Sequence, residues 1–306
     1  MKKIYPFLLS VPHGGTEVPD PVRPLLLLND EDLRYYCDPF TRVVFGSRDR
    51  VAAYIDTPVS RMVVDLNRPP LPLPLRDPDG IIKLRTIDGR DVYRPGLVPD
   101  MPLIHSLLMT WYFPYHQRIA ELIDQRPVRI AFDCHSMLPY GSESQKDAGK
   151  ARPLICLGNN GDRRGRARKG SITTCSEEWI NTLAAVFKKE FALTSEVAIN
   201  NPFSGGFISN AHYWHKGVPW IQIEINRLLY EPSLSSNGST RRATLRSSSF
   251  SRRSFTWRLV TNLPSRPAIG DVLTMNSIVI VGSSTFSTGS ACGSAVSQTV
   301  DPMSSW

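Results

Sequence analysis

Cysteine is scarce and scattered in this chain of 306 residues: Cys37, Cys134, Cys156, Cys175 and Cys292 make an odd number with no CxxC pair. That spacing excludes a disulfide scaffold, and a reducing, cytosolic setting fits it. No window offers eighteen consecutive apolar residues, which excludes a spanning helix and with it a membrane role. No targeting signal stands out either. The chain opens Met1-Lys2-Lys3, but the apolar run Ile4 to Leu9 is cut by Pro6 and leads into Ser10-Val11-Pro12-His13 without a small-residue cleavage site, so it reads as a first strand. Internal repeats are absent. With 41% hydrophobic and 21% charged residues, the chain can bury one large core or two modest ones, and wholesale disorder is excluded.

The formal charge of +8 invites a nucleic-acid reading until it is divided along the chain. Residues 233–306 hold seven arginines against Asp271 and Asp301, no lysine and no glutamate, a net of +5. Residues 1–232 carry 29 basic and 26 acidic side chains, which is unremarkable for a soluble enzyme. The tail is also 27 Ser or Thr out of 74 residues, and its only long apolar stretch is near Ile278-Val279-Ile280-Val281. This change after Tyr230-Glu231-Pro232 predicts a catalytic domain over 1–232 and a Ser/Arg-rich segment over 233–306 that is poorly ordered or the product of an altered reading frame. In the main domain Arg163 to Lys169 is the one nucleic-acid-like patch, and without interleaved aromatics it reads most simply as a solvated loop.

Short aliphatic runs that end in chemically capable residues, with helical patterns between them, indicate an α/β fold. Ile4 to Ser10 leads to His13, Met62-Val63-Val64 to Asp65-Leu66-Asn67-Arg68, and Val128 to Phe132 to Asp133-Cys134-His135-Ser136; Trp220 to Ile225 contains Glu224. Helical spacing spans Asp30 to Phe45, Leu103 to Gln125, and Ser176 to Phe191, with Ser176 as N-cap. Pro69 to Pro102 is too rich in Pro, Gly and Asp for a long element and reads as a substrate-facing excursion.

Ligands of open α/β sheets bind at the carboxyl ends of strands, and the candidate residues cluster there. His13 lies in Pro12-His13-Gly14-Gly15, where glycine permits a tight turn and close approach to the imidazole. Alone, it is equally a surface-loop histidine. His135 adds weight, because it ends another strand and Asp133, two residues earlier, shares its face. Two histidines at two strand ends with carboxylates nearby are the ingredients of a zinc site with three protein ligands and one open position. The third ligand is Asp38 or Glu17. Asp38 is favoured, since Glu17 is followed by Val18-Pro19-Asp20-Pro21 and can simply start the next segment, although Asp38 ahead of Pro39 could equally be a turn residue. Alternation in Ile221 to Asn226 puts Gln222, Glu224 and Asn226 on one face, and a carboxylate in so apolar a strand suits general-base work, unless that face is solvated. Asn67 and Arg68 follow a strand and could hold a substrate carboxylate, with Asp65 orienting the arginine or its loop; Arg94, in Val92-Tyr93-Arg94-Pro95-Gly96, could hold a second. The loop Asn201 to Phe207 could border the pocket with backbone amides. His116 reads as a packing residue that could instead point into the site, while His105, His212 and His215 have no comparable context.

SVPHGG at 10–15, Asp38, VDLNRPP at 64–70, VYRPG at 92–96, YHQRI at 115–119, FDCHSM at 132–137, NPFSGGFI at 201–208 and QIEINRLLY at 222–230 together resemble the N-formylglutamate amidohydrolases over about 1–232. The resemblance implies a three-layer α/β fold like that of the zinc carboxypeptidases, with a central mixed, mostly parallel sheet flanked by helices. It implies metal-dependent hydrolysis of N-formyl-L-glutamate to formate and L-glutamate in cytoplasmic histidine degradation. It implies zinc, or another divalent transition metal, on His13, His135 and Asp38, Glu224 as the base that activates water, and Asn67, Arg68 and Arg94 as partners of a small dicarboxylate substrate. The rival readings are a related zinc hydrolase of N-acyl amino acids or γ-glutamyl peptides, a nucleic-acid-binding protein using the basic loop and tail, and a catalytically dead paralogue.

Overall fold

The computed structural model describes residues 3–72, 75–190 and 196–231, together with two strands farther on. A six-stranded sheet in the order β2-β1-β3-β6-β4-β5 forms its centre. The strands are β1 (Tyr5–Val11), β2 (Val51–Asp56), β3 (Ile130–Met137), β4 (Ile155–Gly158), β5 (Val197–Ile199) and β6 (Trp220–Asn226). β2, β1, β3 and β6 run parallel, β4 pairs antiparallel with β6, and β5 runs parallel to β4, so the sheet is mixed and mostly parallel, as anticipated. The helices are α1 (Asp30–Tyr36), α2 (Thr41–Val44), α3 (Met101–Leu107), α4 (Phe113–Gln125), α5 (Glu177–Glu190) and α6 (Phe207–Lys216).

The period-two alternation of the strands sorts the core into two layers. Phe7, Leu9, Phe132, Cys134, Ile221 and Ile223 pack with Ile180, Leu183 and Phe187 of α5 on one face. Leu8, Ala131 and Trp220 pack with Tyr115, Ile119 and Leu122 of α4 and Ile208 of α6 on the other. Each fully buried aliphatic side chain stabilises this arrangement by about 1.5–3 kcal/mol. Ser10, Asp133, His135, Gln222 and Glu224 are buried at alternate positions to the α5-facing residues of β1, β3 and β6, so the polar residues share the face covered by α4 and α6.

Several boundaries differ from the sequence reading, and one difference builds the site. Asp30 to Phe45 is not one helix. Asn29 and Asp32 form a capping box at the start of α1, but Pro39 disfavours helical backbone at Asp38, Phe40 takes φ 64°, and α2 begins only at Thr41. Met62 to Val64 is a buried turn, because the amides of Val63 and Val64 both bond to the Ser60 carbonyl and Ser60 Oγ accepts from Met62. β2, β4, β5 and α6 had no clear signature. Within 69–102, Ile81, Ile82, Val92 and Tyr93 are buried against the α4 layer, so this excursion also supplies core. Beyond 231, β7 (Thr256–Asn262) and β8 (Asn276–Ser283) pair antiparallel, and the expectation of poor order over the rest of 233–306 lies outside the described residues. Cys37, Cys134, Cys156 and Cys175 are buried free thiols, and no helix among the described residues is long and apolar enough to cross a membrane.

Candidate metal centre

His13 lies two residues past β1, His135 and Glu224 face each other in register on β3 and β6, and Asp38 sits in the gap between α1 and α2. The Asp38 amide donates to the His13 carbonyl at 2.9 Å, and its Oδ2 accepts from the Ser136 amide at 3.1 Å, so the gap is tied to both strand ends. These bonds bring three donor atoms together. His13 Nδ1 and His135 Nδ1 are 3.1 Å apart, and Asp38 Oδ2 is 3.3 Å from the second and 3.7 Å from the first. A tetrahedral ion with bonds of about 2.0–2.1 Å sets its ligands about 3.3 Å apart, which these separations bracket. Glu17, the other candidate ligand, is exposed and pairs through its backbone with 58–60, away from this cluster.

The outer partners decide which nitrogens face inward. His13 Nε2 meets Asp65 Oδ1 at 2.7 Å, and His135 Nε2 meets Asp133 Oδ2 at 3.0 Å. A carboxylate can only accept, so in neutral rings both Nε2 atoms carry the proton and both Nδ1 atoms present lone pairs. Two bare nitrogens and a carboxylate oxygen at this spacing repel one another unless a cation lies among them. The donor set therefore suits a divalent transition metal, with one position left open. Protons compete for the same lone pairs. Burial and the Arg61 guanidinium lower His13 to a pKa of about 4, whereas Asp133 and Asp38 overcome burial and push His135 well above the ordinary imidazole range.

Glu224 is buried beside this cluster, and its Oε1 accepts from Gln222 Nε2 at 2.6 Å, leaving Oε2 as the unbonded edge. Burial, opposed by His135 and reinforced by Asp38, pushes its pKa up to about 8. Two cations escaped the sequence reading. Arg61 Nη2 bonds Asp65 Oδ2 at 3.0 Å and its Nη1 lies 3.9 Å from Asp38 Oδ1; Lys83, 3% exposed, reaches Asp65 Oδ2 at 2.9 Å and also Asp79. Arg61 precedes Asp65 by four residues in a turn, and Lys83 lies in the Pro/Gly-rich excursion, so neither carried a signal.

Of the two roles read for Asp65, it takes the second: it orients the loop by accepting the Asn67 amide, and it also holds His13, Arg61 and Lys83, while Arg68 pairs with Asp79 at 2.7 Å. Asn67 turns inward, its Nδ2 donating to Asp133 Oδ2 at 3.1 Å beside His135 Nε2, and its Oδ1 accepting the Ile208 amide at 2.8 Å. The amide spent on Asn67 thus comes from the first turn of α6, just past the Asn201 to Phe207 loop, and Gly206 of that loop packs so closely that a Cβ there would lie 2.2 Å from Asn67 Nδ2. Arg94 is exposed and donates to the Leu26 carbonyl. His116 does not join the cluster; it bonds His212 and the Leu66 carbonyl. Arg163 to Lys169 is a surface loop in which Arg166 pairs with Glu177.

A sequence profile of the N-formylglutamate amidohydrolases matches residues 5–231. The chain belongs to this family. Among its relatives, the N-formylglutamate deformylase of Pseudomonas aeruginosa is 30% identical over 141 residues, 43% of this chain and 52% of that protein. The N-formylglutamate deformylase of Pseudomonas putida is 28% identical over 138 residues, again 43% and 52%. The chain thus spans about half the length of these relatives. In fold it is similar to the crystal structure of an N-formylglutamate amidohydrolase from Ralstonia eutropha, with a TM-score of 0.58 at 23% identity over 74% of this chain and 83% of that one. A gene product of Agrobacterium tumefaciens gives a TM-score of 0.53 at 20% identity over 76% and 84%. The N-formylglutamate amidohydrolase match ends two residues before the Ser/Arg-rich composition begins at 233.

Proposed function

We propose that this chain hydrolyses N-formyl-L-glutamate to formate and L-glutamate, in a reducing cytoplasm and as a step of histidine breakdown, with zinc on His13, Asp38 and His135. The observation that carries the reading is the convergence of His13 Nδ1, His135 Nδ1 and Asp38 Oδ2 beside the buried Glu224. Family membership and the names of the two Pseudomonas relatives supply the substrate. Four buried free thiols support the reducing compartment.

A bound zinc would supply Lewis acidity towards the formyl oxygen and towards water. Glu224 Oε2 then takes a proton from the attacking water and hands it to the amide nitrogen as the carbon-nitrogen bond breaks, releasing formate and the amine. Gln222 holds Oε1 and so keeps the proton transfer on Oε2. Asp65 and Asp133 hold the two imidazoles in the tautomer that turns Nδ1 inward. The Arg61 side chain, 20% exposed beside Asp38, is the guanidinium nearest the donor atoms, placed to meet negative charge on the substrate. Arg68 lies next along the chain to Asn67 and contributes positive charge together with Lys83.

Metal analysis and formate release test this on the purified full chain. About one zinc per chain is expected, with N-formylglutamate hydrolysed in preference to N-acetylglutamate and γ-glutamyl peptides, and Glu224→Gln slower by about a hundredfold or more. Equal rates for Glu224→Gln and the unmodified protein would remove Glu224 from the role of base, and hydrolysis confined to the other amides would reassign the substrate. Salt-sensitive nucleic-acid binding, with no zinc and no hydrolysis, would refute the proposal as a whole.

A further inference from the structure

The helical stretch from α3 to α4 is continuous but not uniform: residues Leu108–Tyr112 form a π turn between them. Ile104 and Leu107 are buried on the inner face of α3, and the same face continues through Tyr112, Tyr115, Ile119 and Leu122, with Trp111 half-buried against the same core. The stretch brings Tyr112 and His116 to the segment Leu66-Asn67-Arg68.

There the two side chains take the carbonyls on either side of Asn67. His116 Nε2 bonds the Leu66 carbonyl at 3.1 Å, and the Tyr112 hydroxyl donates to the Arg68 carbonyl at 2.8 Å. A carbonyl only accepts, so His116 carries its proton on Nε2, and its Nδ1 accepts from His212 Nε2 of α6 at 3.0 Å. His116 also stacks on His212, and His212 on Trp220 of β6, which seats the pair against the sheet. Asn67 is thereby gripped along its backbone by the π turn and α4, while its side chain reaches Asp133 and the Ile208 amide.

We propose that Tyr112 and His116 are positioning residues, which fix Asn67 by holding its two flanking carbonyls and so set the Asp133 and His135 pair of the metal centre. The proposal rests on the metal-centre reading above, and its test separates the two. His116→Gln keeps a donor near the Nε2 position; His116→Asn places its amide near Nδ1 and withdraws the donor from Leu66. Each variant, with Tyr112→Phe and the unmodified full chain, is titrated with zinc against a chromophoric chelator. Zinc binding should weaken about tenfold in His116→Asn and Tyr112→Phe and recover to within about twofold in His116→Gln. The two His116 variants should melt at the same temperature without metal. In parallel, solvent exchange of the Asn67 side-chain amide, assigned through Asn67→Asp in asparagine-labelled protein without metal, should be slow in the unmodified chain and His116→Gln and faster in the other two. Equal exchange in all four proteins overturns the proposal, as does a His116→Gln that behaves like His116→Asn. If the unmodified chain takes up no zinc, the metal reading fails, and the exchange rates still decide whether the brace exists.

Discussion

Replacing Glu224 by glutamine should abolish the base and at the same time stabilise the metal-free protein, by an amount that grows with pH. In the unfolded chain this carboxyl titrates near 4.5, and in the fold burial pushes it up to about 8. Between those values the folded protein holds a proton that the unfolded chain has lost. Its stabilising contribution is complete below pH 4.5 and disappears as pH rises through 8. Each pH unit inside the window costs about 1.4 kcal/mol, so from pH 5 to pH 8 the unmodified protein should lose about 4 kcal/mol relative to Glu224→Gln. Urea unfolding of both proteins in the presence of a chelator, at pH 5, 6, 7 and 8, measures that difference and cancels what other titrating groups share. Parallel stability curves would show that Glu224 is not buried as a proton-binding group, and the reasoning that makes it a base would fail with it. With a divalent cation beside it the carboxyl is driven towards ionisation, so formate release from the loaded enzyme should persist at pH 7 and be lost in Glu224→Gln.

Asp65→Asn replaces the carboxylate partner of His13 by a neutral amide and leaves Lys83, 3% exposed, with one carboxylate fewer; chelator competition should show zinc bound about 10–100-fold more weakly. The same variant should lose about 3–5 kcal/mol in urea unfolding, the cost of stranding a buried charge. Gly206→Ala forces a methyl group against Asn67, and a loss of about 1–3 kcal/mol is expected along with slower formate release; an unperturbed enzyme would show that α6 moves freely over the centre. Ile119→Ala hollows the layer under α4 and should cost about 2–5 kcal/mol by the same unfolding measurement, with zinc affinity unchanged.

The strands that carry chemistry were legible because their side chains alternate. Ile221, Ile223 and Ile225 read as one face, so Gln222 and Glu224 had to share the other, and the same period tied Asp133 to His135. Asp38 was legible only as a possibility, since the Pro39 that made it look like a turn residue is also what breaks the helix and frees its carboxylate for the centre. What stayed hidden depends on contacts between segments remote in sequence. Asp65 is nearer in sequence to Arg68 than to Arg61, and nothing local says that it faces His13 from 52 positions away. Lys83 looks like any loop lysine until the Pro/Gly-rich excursion folds back over the core. His116 and His212 show no relation by spacing, because they lie 96 positions apart and meet only through the packing of α4 against α6.

The charge of the centre connects these pieces. Asp38, Asp65, Asp133 and Glu224 are all buried, and the cations set among them are Arg61 and Lys83. With neutral imidazoles and ionised carboxyls, the group carries an excess of two negative charges in a medium that screens poorly. Two routes remove the excess. The metal-free protein binds protons: burial, reinforced by Asp38, raises Glu224 to about 8, and Asp133 and Asp38 overcome burial to hold His135 well above its ordinary range. A divalent cation would remove the same two charges and displace those protons, which would couple metal uptake to proton release. For the proposed dianionic substrate the uncancelled acidic excess would be repulsive, and cancelling it would remove that repulsion. The net +3 of residues 1–232 reveals nothing of this, because it averages an acidic interior against a basic surface.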